Sequence, residues 1–343
     1  MRVSGNTSFH HEGTALLGTS AVEAPVVVTS ASMEERLAPT LERLRMRPGT
    51  LSSLAGIEER RWWGEEEDAA GGAARAGRQA LEAAGVEPGQ VGLLVNTSVF
   101  RAHLEPSVAV GIHHELGLPS SALNFDVTNA CLGFVNALTL AATLIGSGHI
   151  RYALVVDGED ARPVHESTMT RLSAPGATRR DYMDAFATLT LGSGAAAAVL
   201  GPVEEHPGAP RVVGGISRAR SSAHGLCVGS NDGMVTDARG LLEEGMQLIG
   251  DAWDDAQADG WAWKDMDRYV MHQVSTVHTR ALVERIGIDP ERVPLTFPRW
   301  GNVGPAALPM TLAAEAPSLR PGDRVLCMGV GSGLNTAMTE IQW

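Results

Sequence analysis

The stretch Asp126-Val127-Thr128-Asn129-Ala130-Cys131-Leu132-Gly133-Phe134 decides how the rest of the chain reads. The strand-like run Leu123 to Val127 stops there, and a long apolar helical run, Cys131 to Ile145, begins. A helix N-terminus carries unpaired N–H groups and about half a positive charge. A thiol placed there is expected to lose its proton readily and act as a nucleophile. A lone cysteine is ordinarily a small buried hydrophobe. Here the position weighs the other way, because the carboxyl end of a parallel strand is where such sheets bind ligands.

Two further segments supply partners for a reactive thiol. Val270-Met271-His272-Gln273 ends another apolar strand, and Trp300-Gly301-Asn302-Val303-Gly304-Pro305 is a glycine-rich loop. Next to a nucleophilic cysteine, His272 is the expected base or hydrogen-bond donor, although most histidines at strand ends are structural. Asn302 reads either as a turn asparagine or as an amide N–H that polarises a carbonyl. Cys, His and Asn in this order point to covalent acyl chemistry.

The composition narrows the classes. The 343 residues carry a net charge of −13, with 44% hydrophobic and 5% aromatic residues. That balance argues against nucleic acid as a partner, and a phosphate-bearing ligand would need a local arginine patch. Three cysteines (Cys131, Cys227, Cys327) make no disulfide framework, so a reducing cytoplasm is expected. Cys327 falls inside a strand and reads as core. Met1 to Gly18 does not read as a signal peptide. The longest apolar run, Val135 to Ile145, is too short to span a membrane.

Along the chain, short apolar strands alternate with helical stretches. The strands are Val91–Thr97, Leu123–Val127, Tyr152–Asp157, Gly192–Leu200, Tyr269–His272 and Arg324–Val330. The helices are Ala69–Ala84, Cys131–Ile145, Leu241–Ala258, Val277–Ile286 and Pro305–Ala316. This alternation predicts an α/β fold with mixed, mostly parallel sheets and helices on both faces. The pattern runs twice, predicting two similar halves. Residues 1–200 hold the cysteine, with an inserted cap over about 161–187, and residues 201–343 hold His272 and Asn302. Gly331-Ser332-Gly333 follows the last strand. It reads as a phosphate cradle or, preferably, as a donor of a backbone N–H to an oxyanion together with the N–H of Cys131. Glu105 precedes Pro106 and is expected in an extended or turn segment. Spacing alone does not single it out.

These segments together resemble the thiolase superfamily, in its 3-oxoacyl-ACP synthase III branch. The likeness rests on Ala55-Gly56-Ile57 with Arg60, Leu94-Val95-Asn96-Thr97-Ser98, Asn129 to Phe134, and Leu154-Val155-Val156-Asp157-Gly158-Glu159. It continues through Met271-His272-Gln273-Val274-Ser275, Gly301 to Pro305 and Gly329 to Asn335. A closer likeness is to the head-to-head condensing enzymes that open bacterial long-chain olefin biosynthesis. It is carried by Asn96-Thr97-Ser98 followed by Leu104-Glu105-Pro106-Ser107, by Val155 to Glu159, the insertion and Gly331 to Asn335.

The resemblance implies a five-layered αβαβα fold and a homodimer without a cofactor or metal. It implies that Cys131 takes a fatty acyl group from acyl-CoA, while His272 and Asn302 hold the carbonyl of a second one. Glu105 would arrive from the partner subunit and remove the α-proton, and the N–H groups of Cys131 and Ser332 would form the oxyanion hole. The product would be a 2-alkyl-3-oxo acid, handed to downstream olefin-pathway enzymes. The alternative is a decarboxylating synthase III that uses malonyl-ACP. A non-catalytic partner of the same fold would be expected to lack the nucleophile.

Overall fold

Apolar runs bounded by glycine and proline become strands here, because buried strands need no polar alternation. The computed structural model describes residues 8–343; the reading of Met1 to Gly18 lies partly outside them. The strands in chain order are β1 (Ser8–His10), β2 (Thr14–Glu23), β3 (Val26–Thr29), β4 (Glu59–Trp62), β5 (Val91–Asn96), β6 (Leu123–Asp126) and β7 (Tyr152–Glu159). They continue with β8 (Gly194–Pro202), β9 (Arg211–Ala219), β10 (Cys227–Ser230), β11 (Gly233–Thr236), β12 (Arg268–Met271), β13 (Arg324–Gly331) and β14 (Asn335–Gln342).

Ten strands form one sheet in the order β12-β13-β14-β9-β2-β8-β7-β5-β6, with β1 added beside β9. In the first five-strand run, β7, β5 and β6 pair in parallel, and β8 runs against both β7 and β2. Four of its five strands therefore share a direction. The second run repeats the scheme: β12 and β13 are parallel, and β14 is reversed between β13 and β9. The runs meet antiparallel at Ala15 and Arg211.

The core explains the layers. The Gly133–Gly146 and Ala307–Glu315 helices share one apolar cluster with strands of both runs, among them Val95, Val155, Val325 and Ile341. They form the central layer. The Ala69–Ala84 helix covers the outer face of the first run through Ala73, Ala76 and Ala80. The Ala238–Ala258 and Thr276–Ile286 helices cover the outer face of the second through Ile249, Trp253 and Leu282. Residues 161–187 contain the helices Arg162–Ser173 and Arg179–Asp184 and the start of Phe186–Leu189. Their Met169, Leu172 and Tyr182 pack on Met33, Leu37 and Trp62. Among the described residues no helix is long and apolar enough to cross a membrane.

Candidate active site

Cys131 lies on a tight turn between β6 and the central helix. Ala130, just before it, has a left-handed backbone with φ of 44°. The helix itself begins at Gly133, with Leu132 as its cap. This corrects the expected start at Cys131. The turn is tied down by Asn129, which donates from Nδ2 to Asn136 Oδ1 at 2.7 Å and accepts from Asn335 Nδ2 at 3.1 Å. Asn335 opens β14, so the Cys131 turn is fastened to the turn that holds Ser332. A Cβ built at Gly331 would lie 3.3 Å from the Cys131 nitrogen. The glycine keeps that N–H open, with Ser332 as the next residue along.

His272 follows β12 and is 8% exposed. Its backbone N–H donates to Met328 O at 2.8 Å, and its Nδ1 is buried without a partner. A Cβ at Gly329 would come within 2.8 Å of His272 Cβ and 3.4 Å of Leu132 Cδ2. One bare position on β13 thus leaves room for both His272 and the residue after Cys131. Burial pulls the His272 imidazole down to about 4, with His278 adding in the same direction. It is neutral at physiological pH.

Burial also pushes the Cys131 thiol up to about 12. Cys227, Glu159 and Asp157 raise it further, and only its own backbone N–H opposes them. These surroundings work against the expected acidification of the thiol. Low-dielectric surroundings and nearby acidic groups outweigh a helix end that starts two residues later. A thiol in this state would need a base to take its proton in any attack, and the neutral imidazole of His272 is a group able to receive it.

Asn302 is held by its backbone, with its N–H donating to Thr190 O and its carbonyl accepting from Gly192 N–H, both at 2.9 Å. Its Oδ1 accepts from Gly304 N–H at 3.0 Å. The carboxamide oxygen is occupied, so the NH2 end is the one turned to donate. Glu105 lies elsewhere. It is exposed on the segment between β5 and the Val108–Glu115 helix.

The sequence reading missed three features. Cys227 on β10, with Sγ 3.4 Å from Thr236 Oγ1, is an electrostatic neighbour of Cys131. Gln273 pins the following loop, donating to Met271 O and Pro294 O and accepting from Thr296 N–H. Asp157 and Glu159 point to one face of the fully buried β7. Burial raises Asp157 to about 8 and Glu159 well above the usual carboxylate range. Two carboxylates spaced i, i+2 in an apolar strand were a visible signal for that pair.

Residues 125–213 match the family model for 3-oxoacyl-[acyl-carrier-protein] synthase III, and residues 256–343 match the model for its C-terminal part. The chain is 43% identical over 335 residues to the acyl-CoA:acyl-CoA alkyltransferase of Xanthomonas campestris pv. campestris, covering 97% of this chain and 99% of that one. The chain belongs to the OleA branch of the 3-oxoacyl-ACP synthase III family. The alkyltransferase of Shewanella oneidensis is 34% identical, with 93% and 96% of the two chains covered. The cerulenin-bound crystal structure of Xanthomonas campestris OleA superposes with a TM-score of 0.95 at 42% identity, covering 98% of each chain. A form of that enzyme with bound lauric acid and lauroyl-CoA superposes at 0.94, also at 42% identity, over 97% of this chain and all of that one. Other solved forms carry substitutions at a cysteine, a histidine or a glutamate. The thiolase-like fold read from the sequence is that of these OleA structures, and as an OleA-family chain this protein is a condensing acyltransferase.

Proposed function

We propose that this enzyme joins two long-chain fatty acyl-CoA molecules head to head, without decarboxylation, to give a 2-alkyl-3-oxoalkanoic acid, as the first step of long-chain olefin biosynthesis. The observation that carries this reading is the 43% identity to an acyl-CoA:acyl-CoA alkyltransferase, against 25% and 28% to β-ketoacyl-ACP synthases III over a similar length. The Val274-Ser275-Thr276 stretch after His272 points the same way, since it lacks the asparagine and basic residue of ACP-dependent relatives.

Cys131 Sγ attacks the first thioester and gives its proton to His272; the proton leaves with CoA as its thiol. The N–H groups of Cys131 and Ser332 hold the oxyanion. Glu105 takes the α-proton of the second acyl-CoA, and His272 and Asn302 donate to the enolate oxygen. The enolate carbon displaces Cys131 from its thioester, the proton held by Glu105 returns the departing thiolate to the thiol, and water cleaves the remaining CoA thioester. Every bond is accounted for without a redox partner, so the proposal includes neither cofactor nor metal.

The exposure of Glu105 supports delivery from a second subunit. So does the sheet edge at β6, where Leu123 is 53% exposed and nearby Leu104 87% exposed. Such uncovered edges are usually paired or protected. A homodimer in the cytoplasm, passing product to later olefin-pathway enzymes, completes the proposal. The repeated strand order supports residues 1–200 and 201–343 as its two halves, the first with 161–187 as a cap. Incubation with myristoyl-CoA alone is the test. Free CoA together with a branched β-keto acid, or its ketone after spontaneous decarboxylation, is expected. A strict need for malonyl-ACP would transfer the assignment to the decarboxylating synthase.

A further inference from the structure

The segment 97–107 forms an arm whose tip carries Glu105. Its tip is open, but its two ends are clamped by buried carboxylates. Where the arm leaves β5, Glu159 of β7 accepts the Val99 N–H at 2.5 Å on one oxygen and the Phe100 N–H at 3.1 Å on the other. Where the arm returns, Asp126 of β6 accepts the N–H groups of Val108 and Ala109 at 3.1 and 3.0 Å. Arg101, within the arm, reaches Asp126 at 3.5 Å and donates to Thr128 Oγ1 at 2.8 Å. Thr128 lies three residues before Cys131.

The two clamps differ. Asp126 has the Arg101 guanidinium beside it, whereas the Glu159 carboxyl is held by the backbone N–H groups of Val99 and Phe100. A carboxyl buried without a cation is costly to keep, unless what it holds matters more than the cost of desolvation. Glu159 also borders the other half of the chemistry. Its Cγ and Cδ lie 3.5 Å from where a Cβ would sit on Gly304, two residues after Asn302. One side chain therefore holds the base of the arm and lies near the loop that carries the amide.

We propose that Glu159 is a positioning residue that fixes the root of its own chain's 97–107 arm, so that its effect on condensation is delivered through that chain's Glu105 acting in the active site of the partner subunit. This rests on the reading that Glu105 is the α-proton base across a dimer interface. Glu159 touches no substrate in this proposal. Its two hydrogen bonds set where the arm leaves the body, and a displacement of about 1 Å at a catalytic group can lower the rate a hundredfold.

The test uses co-expressed, differently tagged heterodimers in which one subunit carries Cys131→Ala. Only the other Cys131 can then be acylated, and its condensation draws Glu105 from the Cys131→Ala subunit. Glu159→Ala placed in that Cys131→Ala subunit is expected to lower kcat for condensation of myristoyl-CoA about a hundredfold. Acylation of the intact Cys131, read by mass spectrometry, should change by less than about twofold. The same change in the cysteine-bearing subunit should cost condensation much less. Glu159→Gln, which keeps one accepting oxygen, should recover most of the lost rate. Val99→Pro removes a donor at the same contact from the arm side and should reproduce the loss without altering the carboxylate. A loss that follows the cysteine-bearing subunit, or that strikes acylation and condensation together in the Glu159→Gln and Val99→Pro forms as well, overturns the clamp. Glu105→Ala in each subunit is the control. If its effect does not follow the Cys131→Ala subunit, the cross-subunit base fails on its own account, and the clamp falls with it.

Discussion

At the scale of the residue, the central pair is the Cys131 thiol, pushed up to about 12, and the His272 imidazole, pulled down to about 4. Neither group is charged at rest. In the proposed reaction the proton therefore moves as acyl-CoA arrives, rather than beforehand. Cys131→Ala is expected to abolish the covalent adduct, and His272→Ala to slow acylation by about 10²–10⁴-fold, the usual contribution of a positioned base. Both are read by stopped-flow CoA release. The acylation rate should fall as pH drops toward 4, where His272 becomes protonated, and should not fall between about pH 6 and 8. A maximum near pH 4 would instead mark a pre-formed thiolate.

Asp157 makes a second residue-scale prediction. Its folded pKa is raised to about 8 from 3.8 by burial, against the opposing hydrogen bond from Thr97. The folded state therefore holds a proton that the unfolded state has released. That contribution to stability is complete below about pH 4 and disappears as pH rises through about 8. Asp157→Asn keeps the acceptor for Thr97 and removes the titration. It should narrow the difference in melting temperature between pH 5 and pH 8 relative to the parent protein. An unchanged difference would show that Asp157 is already ionised in the fold.

At the scale of the element, Gly329 decides how closely β13 and β12 bring His272 to the Cys131 turn. Gly329→Ala would force a Cβ to within 2.8 Å of His272 Cβ. Overpacking of this kind costs about 1–3 kcal/mol. A lower melting temperature with slowed acylation is expected; full activity would mean that His272 has room to move. This scale also shows what a single sequence can carry. The strands at Val91, Tyr152 and Arg324 are legible because buried strands are plain apolar runs. The start of the central helix is not, because the left-handed Ala130 and the cap at Leu132 are set by the turn's tertiary ties to Asn335. Cys131, His272 and Asn302 stand out at strand ends and in a glycine loop. The environment that sets their charge does not, because desolvation depends on packing that no local pattern encodes. Cys227 falls among their neighbours through the β10–β11 hairpin alone.

At the scale of the whole molecule, the repeated strand order explains how distant segments meet. Each run brings one strand end to the central layer, the first with Cys131 and the second with His272. Glu105 points out of this arrangement, and the open β6 edge beside it is where the proposed second copy would sit. Leu123→Asp is expected to shift sedimentation to the monomer and to suppress condensation while acylation of Cys131 persists. Condensation by a verified monomer would place the base within one chain.

The central claim is that Cys131 carries one fatty chain while a carboxylate makes a carbanion of another. Intact-protein mass spectrometry combined with product analysis, after mixing with myristoyl-CoA and no other acyl donor, tests it most directly. The account predicts a myristoyl adduct on Cys131 that is consumed as the branched β-keto acid appears. A chain that stays unmodified, or that turns over only when malonyl-ACP is added, contradicts it.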